Sequence, residues 1–270
     1  MLKSGFYMTL LLIVVGVSSA FAQELFVFTE PASNMPAKSI GIRITNEGSF
    51  NQSRFNRTMA EVMAGLNKNL MVHAQGFFSD MDQSYRFEGI SAYGKYRFLS
   101  KDQVRSHLRA AAFGRVSYSK RPVYTDDINL EGDNTGLQGG VIVTQLIHKL
   151  ALSGTVSYTH AFGQKNQRDF GFAPNQMIGY SLSSGYLLLP FVYKNYSQPN
   201  FNVYLETLGK TNPENGQSYV DLAPAVQVIF NSRTRVDLGY RFQVAGNMDN
   251  RYLKNMYLVR LELNFFNVIK

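Results

Sequence analysis

Residues 234–244 read TRVDLGYRFQV, and this stretch decides the fold. Val236, Leu238, Tyr240, Phe242 and Val244 fall on one side of an extended chain, and Arg235, Asp237, Gly239, Arg241 and Gln243 on the other. Successive side chains of a strand point to opposite faces, so this alternation makes one face apolar and the other polar. An amphipathic helix would group its apolar residues by threes and fours, and these are not so grouped. Residues 257–265 repeat the pattern, with Tyr257, Val259, Leu261, Leu263 and Phe265 opposite Arg260, Glu262 and Asn264. So do residues 152–159, where Leu152, Gly154, Val156 and Tyr158 oppose Ser153, Thr155, Ser157 and Thr159.

Working outward, twelve such segments follow one another: 39–47, 57–67, 69–79, 86–98, 105–118, 134–148, 150–162, 174–187, 199–210, 216–230, 233–245 and 253–266. Each is about ten residues or somewhat more, the length a tilted strand needs to cross a bilayer. Their connections alternate in length. The second, fourth, sixth and tenth are short, whereas 80–85, 119–133, 163–173, 211–215 and 246–252 are longer and polar. The eighth, 188–198, is long where a short turn belongs. Barrels of the outer membrane sort their connections in this way, and an even strand number leaves both termini on the short-turn side. An open sheet in lipid would strand its edge N–H and C=O groups, so the strands must close. The expected fold is all-β: a single antiparallel transmembrane barrel over residues 39–270.

Residues 1–22 carry Lys3, the apolar run MTLLLIVVGV at 8–17, and small residues ending Ala20-Phe21-Ala22. That is the order of a secretory signal peptide, cleaved near Ala22, and the apolar run is too short for a membrane-spanning helix. Residues 23–38, with Pro31 and Pro36, read as a periplasmic leader, since proline withholds a ladder donor. Cysteine is absent, which excludes thiol chemistry, cysteine–zinc sites and a lipoprotein anchor. The net charge of +8 is spread along the chain, and export argues against a nucleic-acid partner. The 20 Phe and 16 Tyr supply rings for the membrane boundary, where an apolar ring with a wet hydroxyl is favoured.

The leader at Ala20-Phe21-Ala22, the alternating segments and the aromatic last segment ending Leu263-Asn264-Phe265-Phe266 make the chain resemble the bacterial outer-membrane β-barrel superfamily. In that superfamily a terminal aromatic is read by the assembly machinery; here Asn267 to Lys270 follow it. Residues 129–136 and 89–98 look like uncharacterised small transporter-like barrels of the Bacteroidota. The resemblance implies outer-membrane lipid and lipopolysaccharide around the barrel and the barrel-assembly machinery during insertion. It transfers no catalytic, cofactor or metal residue, and oligomeric state stays open.

With apolar faces toward lipid, the inward candidates are Arg43, Glu61, His73, Lys95, Arg97, Arg109, Arg115, Glu206, Asp221, Arg235, Asp237, Arg241, Arg260 and Glu262. Two readings stay open. One is a watery passage, with a mild preference for anions. The other is a lumen filled by charges paired between neighbouring strands. The expected function is a passive pore or small-solute transporter-like barrel, without enzyme activity and without a cofactor. The alternatives are a structural or adhesive barrel acting through loop 119–133 and a lipid hydrolase. The hydrolase needs His160 beside Ser157 or Ser181 on the outer face. No Gly-x-Ser-x-Gly elbow occurs. The acidic run 126–134 is dense in oxygen ligands but lacks EF-hand spacing, and is expected to be solvated.

Overall fold

The computed structural model describes residues 26–49, 55–80, 84–123, 125–162, 174–192, 197–251 and 253–269. The expected signal segment, 1–22, lies outside them. Twelve strands are present: β1 (Ser39–Ser49), β2 (Phe55–Gly65), β3 (Leu70–Ser79), β4 (Arg86–Gln103), β5 (Ser106–Ser119), β6 (Gly136–Ile147), β7 (Leu150–Ala161), β8 (Gln176–Leu189), β9 (Asn200–Thr211), β10 (Ser218–Phe230), β11 (Thr234–Gly246) and β12 (Asn255–Phe265). Every strand pairs antiparallel with its sequence neighbours, and β1 closes the ring on β12 from Ile40↔Phe265 to Gly48↔Tyr257. Closure leaves no lipid-facing sheet edge of unpaired backbone around the ring, which is what hydrocarbon demands.

The alternation becomes an inside and an outside. Along β1, Arg43, Thr45 and Glu47 are buried while Ile42 and Ile44 are exposed. On β7, Ser153, Ser157 and Thr159 are buried while Leu152, Val156 and Tyr158 are exposed. Large apolar side chains therefore cover the outer surface, with Leu182 67 % exposed, a distribution that water would disfavour and lipid favours. Aromatic side chains fringe it at both ends. Tyr85, Phe87, Tyr118 and Phe162 are exposed near the long connections, and Tyr96, Phe98, Phe230 and Phe265 near the short turns.

Three of the four expected short turns use left-handed backbone, with Arg105, His148, Asn231 and Ser232 at positive φ. Strand β4 runs five residues past the expected end at 98. A bulge between Arg97 and Leu99 lets pairing with β5 continue down to Gln103↔Ser106, leaving Val104 and Arg105 as the turn. The polar run 100–103 hides this extension, because ladder bonds are made by backbone and need no apolar side chain. The residues after Phe266 fold back on the entry to β1: the N–H groups of Val268 and Ile269 donate to the Lys38 carbonyl at 2.9 and 3.2 Å.

Residues 26–38 form no strand, and they run inside the barrel. From Lys38, bonded to Gly65 at the short-turn end, the chain passes into the interior. There Phe26, Val27 and Ala32 are buried against side chains of the wall.

Candidate functional site

The interior is built from charged side chains that the register places opposite one another. Arg43 on β1 stands across from Glu61 on β2 and Glu262 on β12, and bonds both, at 3.2 and 2.8 Å. Arg235 on β11 faces Glu262 at 3.4 Å and bonds Asp237 at 2.7 Å, and Arg260 reaches Asp237 at 3.4 Å. Opposite charges on adjacent strands thus link into one ladder from β2 through β1 and β12 to β11. His73 extends it, with Nδ1 2.5 Å from Glu61. Asp221 on β10 holds Arg241 at 2.6 Å and Arg251 at 2.7 Å.

The N-terminal segment is pinned across this wall largely by its own backbone. The Glu206 carboxylate accepts the N–H groups of Val27 and Phe28 at 2.8 and 2.9 Å and the Thr29 hydroxyl at 2.7 Å. Arg235 donates to the Phe26 carbonyl at 2.8 Å and Arg260 to that of Val27 at 2.7 Å. Lys95 donates to the carbonyls of Pro31 and Ser33 at 2.7 and 2.8 Å, and Thr144 accepts the Ala32 N–H at 2.8 Å. Arg109 donates to the Ser33 hydroxyl at 2.7 Å. Backbone groups that would be orphaned in a dry interior are satisfied here by wall side chains. The one acidic side chain of the segment, Glu30, pairs with Arg43 at 3.2 Å and Lys95 at 3.3 Å. Burial pushes the Glu30 carboxyl up, but Lys95, Arg43 and His73 outweigh it and hold it well below the usual range.

From the other end, the β5–β6 connection folds into the mouth. Ile128 and Leu130 pack with Ala161, Met177, Tyr219 and Met248, which line the top of the interior. This corrects the solvated reading of the acidic run. The two apolar residues within it draw the loop inward, and wall cations take up its carboxylates. Asp127 bonds Lys210 at 2.9 Å, Glu131 bonds Arg115 at 2.6 Å, and Asp133 bonds Arg57 at 2.9 Å and also Arg121. Among the described residues no three His, Cys, Asp or Glu side chains are grouped to hold a metal ion.

Between the two inserted segments lies a cavity of about 260 Å³. Phe28, Thr29 and Glu30 border it on one side and Asp127 to Glu131 on the other, with Tyr93, Phe113 and Arg115 in the wall.

The fourteen side chains expected inside sit as follows. Arg43, Glu61, His73, Lys95, Glu206, Asp221, Arg235, Asp237 and Glu262 are buried in the interior, where Arg115, Arg241 and Arg260 also face. Arg97 and Arg109 sit at the short-turn end, Arg97 bonding the Lys68 carbonyl at 2.6 Å. Arg57 and Glu47 were missed, although they share strand parity with Glu61 and Arg43, and so was Lys210, which shares parity with Glu206. The same alternation finds all three. Glu30, Glu131 and Asp133 carry no such signal, since they lie outside any strand. The hydrolase constellation does not form. Ser157 and Ser181 border the cavity, whereas His160 has the outward parity of Tyr158 and packs its ring on Phe162 at 5.3 Å.

No family model and no curated protein matches the chain. Solved structures of the same architecture do. One is described as the KdgM porin, at a TM-score of 0.51 and 9 % identity, covering 84 % of this chain and 99 % of that one. Another is the NanC porin, at 0.52 and 11 %, covering 83 % and 98 %. At these identities the likeness is one of fold.

Proposed function

We propose that this chain is an outer-membrane barrel that passes small solutes through a lumen closed at rest by its own N-terminal segment and its β5–β6 connection. The observation that carries this reading is the charged cavity held between two inserted segments in a barrel whose outside is apolar. A purely structural barrel could fill its interior without leaving a chamber. The porin fold of the two solved structures supports the reading. Signal removal near Ala22, insertion by the barrel-assembly machinery, and contact with lipid and lipopolysaccharide belong to the same proposal. So does kinship with small Bacteroidota barrels through residues 129–136 and 89–98. No catalytic group is assigned.

Planar-bilayer recording tests it with the refolded protein and a form lacking residues 23–35. The intact barrel is expected to give small, infrequent steps, and the shortened one steady conductance. No steps from either form would sink the transport reading in favour of a structural or adhesive barrel.

A further inference from the structure

We propose that the cavity is a binding site for a small carboxylate, which Arg115 and Tyr93 take in exchange for the carboxylate of Glu131. The inference rests on the reading of the lumen as a solute path and adds to it the class of solute and the means of recognition.

Three observations converge. First, Arg115 is held by fewer carboxylates than Arg43 or Arg235, and its one carboxylate partner is partly exposed, unlike the buried Asp221 that Arg241 and Arg251 share. Arg43 meets three carboxylates and Arg235 two plus a backbone carbonyl, so neither can turn to a ligand without stranding a buried acid. Arg115 is bonded by the single carboxylate of Glu131, and its Nε has no acceptor. A guanidinium offers a planar fork suited to two carboxylate oxygens, and here the Nε donor of that fork is unused.

Second, Tyr93 stands directly across the ladder from Arg115, with the guanidinium carbon 5.4 Å from its ring centre. Tyr93 is 5 % exposed and borders the cavity, yet its hydroxyl has no partner. A buried hydroxyl left unpaired is costly, and an acceptor arriving in the cavity removes that cost. Phe113 stacks on the Tyr93 ring at 5.5 Å, giving the same wall an apolar face for the body of a solute.

Third, Glu131 is the acid best placed to leave. Its side chain is 41 % exposed, against 9 % for Asp133 and 4 % for Glu61. It can regain water by rotating outward, which its buried neighbours cannot do. An arriving carboxylate replaces a departing one, so the charge balance of the interior is conserved. A neutral solute has nothing to offer Arg115 in return, and a cation would meet the guanidinium directly. Discrimination therefore comes from the exchange itself.

Binding of benzoate and of benzamide, which differ in charge far more than in shape, is to be measured by calorimetry on the detergent-refolded full chain. Benzoate is expected to bind and benzamide to bind at least tenfold more weakly, a difference of about 1.4 kcal/mol. Glu131→Gln removes the internal competitor and should tighten benzoate several-fold, whereas Arg115→Lys and Tyr93→Phe should weaken it. Equal binding of the two probes overturns the carboxylate assignment. Unchanged benzoate affinity in Glu131→Gln overturns the exchange, and absence of binding in both the natural chain and Glu131→Gln overturns the site. Because calorimetry needs no flux, binding without conductance would remove the transport reading and leave the site. Conductance without binding would do the reverse.

Discussion

The two segments that fill this barrel are held mainly through different groups. Residues 26–38 are gripped mainly through their backbone: Glu206, Lys95, Arg235, Arg260 and Thr144 bond main-chain groups, and Glu30 is the segment's one acidic contribution. The β5–β6 connection is gripped mainly through its side chains, by three carboxylates on wall cations and by Ile128 and Leu130 in an apolar pocket, with Lys210 also donating to the Ile128 carbonyl at 2.6 Å. The specificity of the first contact is written in the wall, and that of the second in the loop. A change in the wall should therefore free the N-terminal segment, and a change in the loop should free the mouth.

Since the chain lacks cysteine, a thiol introduced by Ala32→Cys reports on the first segment and one introduced by Leu130→Cys on the second. Both sites are buried, so labelling by a maleimide measures release. The largest effect is expected from Glu206→Leu. It orphans the buried N–H groups of Val27 and Phe28 at about 1–3 kcal/mol each, or about 2–6 kcal/mol together. Labelling through Ala32→Cys should rise steeply and labelling through Leu130→Cys hardly at all. Equal rises at both sites would mean that the two segments move as one body.

Next is Asp133→Asn, which withdraws a charged acceptor from Arg57 and Arg121 and should cost about 1.5–3 kcal/mol. Here the Leu130→Cys reporter should respond alone. Smaller again is Gly132→Ala. Gly132 has φ +105°, and an added Cβ would stand 3.1 Å from Phe77. Backbone strain of this kind costs about 1–2 kcal/mol, read as a lower midpoint in urea and modestly faster labelling at the mouth.

The smallest effect at neutral pH, and a growing one in acid, concerns protonation. Burial pushes the Asp133 carboxyl up, but Arg57 and Arg121 outweigh it and leave it lowered; at Glu131, Arg115 and Arg57 do the same. A carboxyl lowered by folding stabilises the fold above its unfolded pKa, and that contribution is lost as pH falls through the folded value. Glu30 lies well below its usual range. On acidification the mouth should therefore label before the N-terminal segment, and the reverse order would show that the backbone grip is the weaker one.

Much of this was legible in residues 39–266. The alternation at 234–244 and 257–265 separates inward from outward side chains without reference to any partner strand. Strand ends were less legible where polarity masked pairing, as in 100–103. Of the interior charges, those on strands could be found by parity, Arg57, Glu47 and Lys210 included. Glu30, Asp127, Glu131 and Asp133 could not, because a side chain outside regular structure has no periodicity to betray its direction.

A closed antiparallel barrel with an apolar outside and a charged inside follows from residues 39–266 alone. A period of two is a local property of the extended chain, and lipid forbids an open edge. Only the tertiary structure decided that the interior is filled from both ends around a chamber. The contacts that fill it join Val27 to Arg260 and Ala32 to Thr144, pairs 233 and 112 residues apart. Such contacts depend on where backbone groups meet wall side chains once the ring has closed, and no local pattern records that.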